Sequence, residues 1–367
     1  MIRFDLLASA HHARAGELHT AHGVVPTPAF MPVGTQASVK AIAPEELARS
    51  GTSMVIMNTY HLWLRPGPEV VAEHGGLHQF SRYPGAIATD SGGFQAFSLA
   101  ERVKLQEEGF TFASHLDGTR LMLSPEESMR IQGLLGSDIA LQLDVCPPGD
   151  ASSEEVRSAV ARTTRWAARC LASKAPSQAL FCIVQGGGDV ELRRYHAREL
   201  SALPFDGIAL GGFSVGEPNE TMHRTLAEVA PELDPGRPHY LMGVGTPLDL
   251  VRAIGVGIDV FDCVMPTRNA RNGQAFTSAG KVVIKHARYR HDLGPLDENC
   301  ECPTCRAGYS RSYLRHLFMT RELLVFRLLS LHNIWFYQRL VAEARRAILD
   351  GRFAEWAADA TRGLARA

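Results

Sequence analysis

Residues 261–273 combine an acid, a proline and two arginines in a spacing that could do chemistry on a phosphate-bearing substrate. The segment reads Phe-Asp-Cys-Val-Met-Pro-Thr-Arg-Asn-Ala-Arg-Asn-Gly, and Asp262 follows the apolar run 257–261. A strand that ends in a carboxylate and continues into a basic loop can place a nucleophile beside a phosphate backbone. For Asp262 alone, the better explanation would be an acid that ends a strand before a solvated turn carrying Arg268 and Arg271. A second strand-end acid and a cysteine cluster favour the chemical interpretation.

Asp90 opens a second segment with an acid at the end of an apolar run, Asp-Ser-Gly-Gly-Phe-Gln at 90–95. Gly92 and Gly93 would let the backbone approach a ligand closely. Asp90 and Ser91 would also suit the N-cap of a helix, so the acid has a structural explanation as well.

Three further segments place polar or glycine residues after apolar runs. Asp144 stands in Leu-Asp-Val-Cys-Pro-Pro, Gln185 precedes three glycines, and Gly212 precedes Phe213. For Asp144 alone a turn is the simpler explanation, and glycine runs also form tight turns. Together, a carboxylate, an amide and exposed backbone could read the hydrogen-bonding edge of a guanine-like base.

Three cysteines and a histidine predict a metal site. Cys300, Cys302 and Cys305 have the spacing Cys-x-Cys-x2-Cys, and His332 follows a helix-like stretch. Three thiolates and one imidazole form a closed tetrahedral zinc site, which is structural because no position remains for substrate. Other histidines compete for the fourth position: His286, His291 and His316. We favour His332, which begins an apolar helical stretch that needs anchoring, and expect one structural zinc per chain.

Composition is that of a globular enzyme. The chain has 367 residues, of which 45% are hydrophobic and 21% charged, and its formal net charge is -1. A nearly neutral chain has no global attraction to nucleic acid, so a polyanion would need a local patch. Residues 281–327 supply one, with nine Lys and Arg against five Asp and Glu. The N-terminal residues do not have the pattern of a signal peptide, and no apolar stretch is long enough for a membrane helix. Scattered single cysteines without an export signal suggest a reducing compartment, so we expect a cytoplasmic protein.

The elements that must position these residues alternate between strands and helices. Eight apolar runs each end in a polar or glycine residue: 29–33, 53–57, 86–89, 139–143, 180–184, 207–210, 240–242 and 258–261. Amphipathic stretches lie between most of them, such as 156–174 after the helix-start signal 152–155. This alternation predicts an α/β fold, a (β/α)8 TIM barrel, whose acids would sit at the carboxyl ends of the strands.

The barrel is predicted to carry two additions. A hairpin near 110–123, with Asp117-Gly118 at its turn, interrupts the alternation after Asp90. We divide the chain into a barrel core at 1–280, a zinc-binding subdomain with C-terminal helices packed on the barrel at 281–350, and a tail at 351–367. Within the second part, 319–349 reads as one or two amphipathic helices.

Several of these segments closely resemble motifs of the bacterial tRNA-guanine transglycosylases. They are 90–95, 114–118 (Ser-His-Leu-Asp-Gly), 184–187 (Val-Gln-Gly-Gly), 240–245 (Tyr-Leu-Met-Gly-Val-Gly), 261–273 and the Cys3His cluster. The resemblance covers nearly the whole chain. It implies a (β/α)8 barrel with a zinc-binding insertion near the C-terminus, and a homodimer. It also implies exchange of guanine at the wobble position of tRNAs with G-U-N anticodons for preQ1, 7-aminomethyl-7-deazaguanine, in queuosine biosynthesis.

The resemblance assigns roles residue by residue. Asp262 matches the nucleophile and Asp90 the general acid/base. The implied base-binding residues, among which Phe94 and Met242 sandwich the base, are Asp90, Ser91, Gly92, Gly93, Phe94, Asp144, Gln185, Gly212, Phe213 and Met242. The implied RNA contacts are Gly243, Val244, Gly245, Thr246, Pro247, Leu248, Asp249, Thr267, Arg268, Asn269, Ala270 and Arg271. The implied zinc ligands are Cys300, Cys302, Cys305 and His332.

The implied chemistry is a double displacement. Breaking an N-glycosidic bond builds positive charge at ribose C1′, which a carboxylate can trap covalently. Asp262 would expel guanine, and the incoming base, deprotonated by Asp90, would displace Asp262 with net retention. The target base must leave the anticodon stack. No nucleotide cofactor is expected, because one glycosidic bond replaces another, and the glycines 186–188 lack the Lys and Ser/Thr of a P-loop.

Two departures from the family pattern keep alternatives open. Phe213-Ser214 stands where many bacterial members have Leu-Ala, so a queuine-inserting enzyme is an alternative, although Cys146 and Val215 favour the smaller preQ1. The stretch from Cys305 to His332 is one residue longer than usual near Gly308. An archaeal-type enzyme would need a further C-terminal RNA-binding domain, and a non-catalytic RNA-binding subunit would not need both acids.

Overall fold

The structure is a computed structural model that describes residues 2–99 and 101–364. Its strands are β1 (Arg3–Ala10), β2 (Ala13–Thr20), β3 (Gly23–Thr27), β4 (Ala29–Gly34), β5 (Met54–Met57), β6 (Ala86–Thr89), β7 (Glu101–Leu105), β8 (Phe110–Ala113), β9 (Arg120–Leu123), β10 (Ile139–Leu141), β11 (Ala179–Val184), β12 (Gly207–Leu210), β13 (His239–Leu241), β14 (Val260–Cys263), β15 (Gln274–Thr277) and β16 (Gly280–Val283).

The helices are α1 (Pro44–Arg49), α2 (Thr59–Leu64), α3 (Pro68–Glu73), α4 (Leu77–Ser81), α5 (Gly93–Leu99), α6 (Pro125–Leu135), α7 (Ser153–Ser173), α8 (Val190–Ser201), α9 (Asn219–Val229), α10 (Pro247–Gly255), α11 (Met265–Arg271), α12 (Pro303–Arg306), α13 (Arg311–Met319), α14 (Leu323–Leu349) and α15 (Phe353–Leu364). Among the described residues, none of these helices is long and apolar enough to cross a membrane.

Eight parallel strands close into a barrel in the order β4-β5-β6-β10-β11-β12-β13-β14, and β14 pairs with β4 to complete the ring. Each strand overlaps one of the eight apolar runs, so the predicted (β/α)8 barrel is confirmed. The runs are continuous rather than alternating because barrel strands are buried on both faces, by the interior and by the surrounding helices.

The side-chain alternation along each strand decides which residues reach the barrel mouth. On β14, Val260 packs in the interior cluster and Phe261 packs with the outer helices. Successive side chains point to opposite faces, so Asp262 projects inward. The same parity carries Asp90 inward beyond Ala88 on β6, and Gln185 inward beyond Ile183 on β11. These three polar side chains therefore converge at the carboxyl end of the barrel.

A three-stranded antiparallel sheet, β1-β2-β3, closes the opposite end of the barrel. Leu18 and Val25 from this sheet pack with the interior residues of the barrel strands. Arg14 on β2 lies 3.3 Å from Asp259, the residue before β14. The sheet was not predicted, because its strands are largely polar on one face and lack the apolar runs of the barrel.

The predicted hairpin is confirmed as β8 and β9, which pair in antiparallel register, and β7 adds a third strand. This sheet is inserted after β6 and α5, so it rises at the carboxyl rim of the barrel, close to Asp90. The predicted helix at 156–174 is also confirmed. It begins earlier, at Ser153, because Ser152 and Glu155 form a reciprocal capping box.

The C-terminal third folds around α14, one helix of 27 residues where the sequence allowed one or two. Its buried residues contact β15, α11 and the first barrel strand, β4. Residues 353–364, which were predicted only as part of a tail, form α15. Phe353 anchors α15 in the core against α10. The boundary placed at 280/281 falls within the β15–β16 hairpin.

Candidate active site

Asp262 lies at the end of β14 with its two carboxylate oxygens in different surroundings. Oδ1 accepts hydrogen bonds from the hydroxyl of Tyr240 at 2.6 Å and from the amide of Gly243 at 2.7 Å. Within the described residues, Oδ2 accepts no hydrogen bond. Burial raises the pKa of Asp262, and the two donors act against that shift. The carboxylate is thus oriented through one oxygen while the other remains available.

Asp90 is held by neutral donors from the segment that follows β5. Its Oδ2 accepts from the amide of Asn58 at 2.5 Å and its Oδ1 from the backbone N–H of Thr59 at 2.8 Å. Burial raises its pKa to about 7, and the nearby carboxylates of Asp262 and Asp144 contribute in the same direction. Asp90 therefore exists in both protonation states near neutral pH, as a general acid/base must.

Asp144 and Gln185 form a buried polar pair. Asp144 Oδ2 accepts from the side-chain amide of Gln185 at 2.7 Å, and its Oδ1 accepts from the hydroxyl of Ser91 at 3.4 Å. Burial raises the pKa of Asp144 to about 6. Gln185 Oε1 is buried without a hydrogen bond in the described part of the chain. A carboxylate and an unsatisfied amide oxygen are what a purine ring N–H and exocyclic amine would require.

Glycines shape the floor beside this pair. A side chain at Gly211 would put its Cβ 2.7 Å from the Gln185 amide nitrogen, and Gly212 adopts a φ of +66°. Gly93 is equally confined, because a Cβ there would lie 2.9 Å from the side chain of Leu143. A larger residue at these positions would displace Gln185 or Leu143, so glycine keeps the backbone close to the buried polar pair.

Arg193 is a residue that sequence reasoning missed. It is fully buried on α8, and its guanidinium donates to the carbonyls of Gly187 at 2.6 Å, Gly211 at 2.9 Å and Gly212 at 3.2 Å. It also stacks 3.8 Å from the ring centre of Phe213. Burial lowers its pKa to about 9. An arginine on the core face of α8, in register with Ala197 and Leu200, was the available signal.

Tyr240 was also missed as a site residue, although it opens the motif Tyr-Leu-Met-Gly-Val-Gly. Its side chain points into the barrel and its hydroxyl reaches Asp262.

The two residues expected to cover the faces of the base differ in exposure. Phe94 is 49% exposed, and Met242 is half-buried against the barrel interior. Phe94 thus has an open face at the mouth of the site.

The segment after Asp262 is a helix, so the predicted basic loop is wrong. Residues 265–271 form α11, with Pro266 in its first turn, where the missing N–H costs nothing. Arg268 and Arg271 are both exposed, and their spacing of three residues places them on one face. The side chains of Thr267 and Ala270 are buried, while Asn269 is half-buried.

The segment 243–249 is mostly internal. Gly243 is exposed, Thr246 and Leu248 are half-buried, and the others are buried: Val244, Gly245, Pro247 and Asp249. Thr246 and Asp249 form the capping box of α10. Asp249 additionally accepts from His223 at 2.9 Å. Of the RNA contacts that the resemblance implies along this segment, only those of the exposed and half-buried side chains are compatible with the structure.

The four predicted zinc ligands converge in the described structure. Nδ1 of His332 lies 3.7 Å from Sγ of Cys300 and 3.4 Å from those of Cys302 and Cys305. One tetrahedral zinc would separate its sulfur and nitrogen ligands by about 3.6 Å. Nε2 of His332 donates to the carbonyl of Phe276 at 2.8 Å, which leaves Nδ1 free for a metal. The residues fit a buried structural zinc ion.

Gly308, near which the sequence was expected to be one residue longer than usual, lies in the turn between α12 and α13. It adopts a φ of +73°, and no atom would contact a side chain there. The four candidate ligands on either side of this turn lie together.

Comparisons with known proteins agree with this geometry. A family model described as queuine tRNA-ribosyltransferase matches residues 9–366. The queuine tRNA-ribosyltransferase of Sorangium cellulosum is 65% identical over 96% of this chain and 90% of its own length. Those of Geobacillus kaustophilus and Thiobacillus denitrificans are each 51% identical over 97% of this chain, covering 94% and 97% of their own lengths. The chain therefore belongs to the queuine tRNA-ribosyltransferase family.

Proposed function

We propose that this chain is a pentosyltransferase that exchanges guanine at the wobble position of tRNA for preQ1, with Asp262 as nucleophile and Asp90 as general acid/base. The family membership supports the coarser assignment to tRNA-guanine exchange in queuosine synthesis. One observation supports the roles of Asp262 and Asp90. Asp262 is fixed through Oδ1 and free at Oδ2 among the described residues, beside a second acid whose pKa is about 7.

The reaction would proceed in two displacements at ribose C1′. Oδ2 of Asp262 attacks C1′, the bond from C1′ to N9 of guanine breaks, and protonated Asp90 donates its proton to the departing base. Asp90 then accepts the proton from N9–H of the incoming base, and N9 attacks C1′ while the bond to Asp262 breaks. Retention follows from two inversions. Because one glycosidic bond replaces another, no nucleotide cofactor is required.

The base pocket favours a guanine-type ring with a small substituent. Asp144 and Gln185 supply the polar edge, and Phe94 and Met242 would cover the two faces of the ring. Phe213 does not narrow the pocket, because its ring is buried on the guanidinium of Arg193. The departure from Leu-Ala at 213–214 is thus compatible with preQ1, whose aminomethyl group would meet the backbone carbonyl of Phe213. Queuine remains the second candidate.

The tRNA would be held outside this pocket. Arg268 and Arg271 would contact nucleotides of a G-U-N anticodon after the target base has left the stack. We further propose a homodimer, one structural zinc per chain at the Cys3His group, and a cytoplasmic location, where the tRNA substrate is found.

Incorporation of radiolabelled guanine into unmodified G-U-N tRNA tests this function. We expect exchange by the native protein, chased by preQ1 more efficiently than by queuine, and none in a tRNA changed at the central anticodon position. Asp262→Asn should lose both exchange and the denaturant-resistant RNA–protein adduct. Asp117→Asn, at the exposed hairpin turn, is the matched control and should keep both. An adduct that persists in Asp262→Asn would contradict the assignment of the nucleophile.

A further inference from the structure

A second group of candidate metal ligands lies at the end of the barrel opposite Asp90 and Asp262. His22 is in the turn between β2 and β3, His78 is on α4, and Asp138 immediately precedes β10. Asp138 stands at the amino end of its strand, whereas Asp90 and Asp262 stand at the carboxyl ends of theirs. Since the strands are parallel, this group is separate from the active site.

The three side chains share one small volume. Nδ1 of His22 lies 2.8 Å from Oδ1 of Asp138, and Nε2 of His78 lies 3.1 Å from Oδ2. The candidate ligand atoms are all within 4.8 Å of one another. Ligand atoms that share a zinc-sized ion at adjacent positions are separated by about 3.0–3.4 Å. The rings of His22 and His78 are stacked, with 3.4 Å between their centres. Because an ion lies in the plane of each imidazole that binds it, one of the two rings must turn before both can bind the same ion.

A buried nitrogen without a hydrogen bond provides an independent indication of a ligand. Nε2 of His78 is inaccessible to solvent, and its 3.1 Å contact with Oδ2 of Asp138 does not have the angle of a hydrogen bond. Leaving such an atom unsatisfied costs free energy, which a metal bond would recover.

The surroundings resemble those of a metal site in two further respects. Oδ2 of Asp138 accepts from the backbone N–H of Ile87 at 2.9 Å, which orients the carboxylate as outer hydrogen bonds orient metal ligands. The side chain of His22 is 39% exposed, whereas that of Asp138 is 2% exposed. An ion could thus enter from solvent on the His22 side and keep water at its remaining positions.

We propose that His22, His78 and Asp138 bind a divalent transition-metal ion of the zinc, cobalt and nickel class. Two imidazoles and one carboxylate suit these ions better than Ca2+ or Mg2+, which prefer oxygen ligands. The ion fastens the β2–β3 turn to α4 and to the base of β10. Its role is structural, because the amino-terminal face of such barrels contributes to stability rather than to chemistry.

Equilibrium dialysis of the full-length protein against Zn2+ tests the proposal, with metal content and Tm as readouts. We expect the native protein to retain one more zinc per chain than His22→Ala, and its Tm to rise with added Zn2+ where that of His22→Ala does not. His74→Ala removes an exposed histidine at the end of α3, outside the group, and is the matched control. It should behave like the native protein.

The variants also separate metal binding from a simple ion pair. His22 lies in an exposed turn far from the active site, so His22→Ala should fold and retain base exchange. Asp138→Asn should likewise lose the additional zinc. Equal zinc content in the native protein, His22→Ala and Asp138→Asn would overturn the proposal, and would leave the group as a charge contact between His22, His78 and Asp138.

Discussion

Neutral donors hold the three carboxylates at the mouth of the barrel. Each carboxylate accepts hydrogen bonds from two uncharged residues. The donors are Asn58 and Thr59 for Asp90, Gln185 and Ser91 for Asp144, and Tyr240 and Gly243 for Asp262. No salt bridge to any of the three carboxylates occurs in the parts of the chain that the structure describes. Amides and hydroxyls fix the geometry without neutralising the carboxylates, so burial raises the pKa of each acid, and that of Asp90 reaches about 7.

We expect kcat/KM for the incoming base, which reports the second displacement, to decrease on the acidic side with an apparent pKa near 7. Asp90 must be deprotonated to accept the proton of the incoming base, and its pKa is raised to about 7 by burial and by the neighbouring acids. Below that pH a growing fraction of Asp90 in the covalent intermediate is protonated and cannot accept the proton of the incoming base. A pH–rate profile of the native protein checks this, and an acidic limb below pH ~5, where unperturbed carboxyls titrate, would contradict it.

The same shift has a consequence for stability, and its sign follows from linkage. The pKa of Asp90 is higher in the folded protein than its ordinary value of 3.8, so folding binds a proton between these two pH values. The contribution of Asp90 to stability is therefore lost as pH rises through about 7. Between pH 5 and pH 8, the free energy of unfolding of the native protein should fall by about 1–2 kcal/mol relative to that of Asp90→Asn. Solvent at the half-open site makes this fall smaller than the full pKa shift would give. Thermal unfolding at both pH values measures the difference.

At the scale of elements, the barrel could be predicted because its strands have a distinctive pattern. Runs such as 180–184 are wholly apolar and end in a polar residue, since both faces are buried and the next residue reaches the mouth. The sheet β1-β2-β3 could not be predicted in this way, because β1 is largely exposed or half-buried. Helix α11 has seven residues, too few for a helical period to appear.

Some residues of the candidate site were also visible in the sequence pattern, whereas others depend on contacts that only the fold creates. Asp90, Asp144 and Asp262 could be chosen as candidates because an acid after an apolar run is visible in the sequence. Arg193 could not, because its partners are backbone carbonyls of Gly187, in the loop after β11, and of Gly211 and Gly212, in the loop after β12. A sequence pattern can indicate a buried arginine but cannot show which carbonyls it will reach.

We expect Arg193→Lys to raise KM for the base by about tenfold or more while kcat changes less. The guanidinium connects α8 to the two glycine loops that form the base pocket, and lysine cannot donate in three directions from a rigid plane. Loss of buried hydrogen bonds of this kind costs about 1–3 kcal/mol each. Arg194→Lys, one residue later and salt-bridged to Glu191 and Glu232, is the matched control. Equal KM values for the two variants would count against a positioning role.

The zinc group is where α14 is attached to the hairpin β15–β16, because His332 on α14 donates to Phe276 on β15. We expect Cys302→Ser to lose the metal and to destabilise the protein by about 4 kcal/mol or more, since metal-binding energy in such sites is folding energy. Cys182→Ser, at a buried cysteine outside the group, should keep the metal. Metal analysis and Tm report the outcome, and a metal-free Cys302→Ser protein with unchanged Tm and full activity would exclude a structural zinc.

At the scale of the whole molecule, charge is distributed unevenly although the net charge is only -1. Acids occupy the mouth of the barrel, Arg268 and Arg271 stand on its rim, and the stretch 281–327 is net positive. Several cations of this stretch are already engaged: Arg311 lies 3.0 Å from Asp292 and Arg327 lies 2.7 Å from Glu46. Lys281 and Lys285 are exposed, and neither forms a salt bridge with any described residue. These lysines are the better candidates for phosphate contacts.

We therefore expect two different responses to mutation when tRNA affinity is measured against salt. Lys285→Ala should weaken substrate and non-substrate tRNAs alike and lower the salt slope by about 0.7–0.9. Arg327→Ala should leave the slope unchanged, because that side chain is already paired with Glu46. Arg268→Ala should instead discriminate, weakening G-U-N anticodon loops by about 1–3 kcal/mol more than others if its contact is bidentate. A slope that stays constant in every variant of 281–327 would mean that the tRNA backbone binds elsewhere.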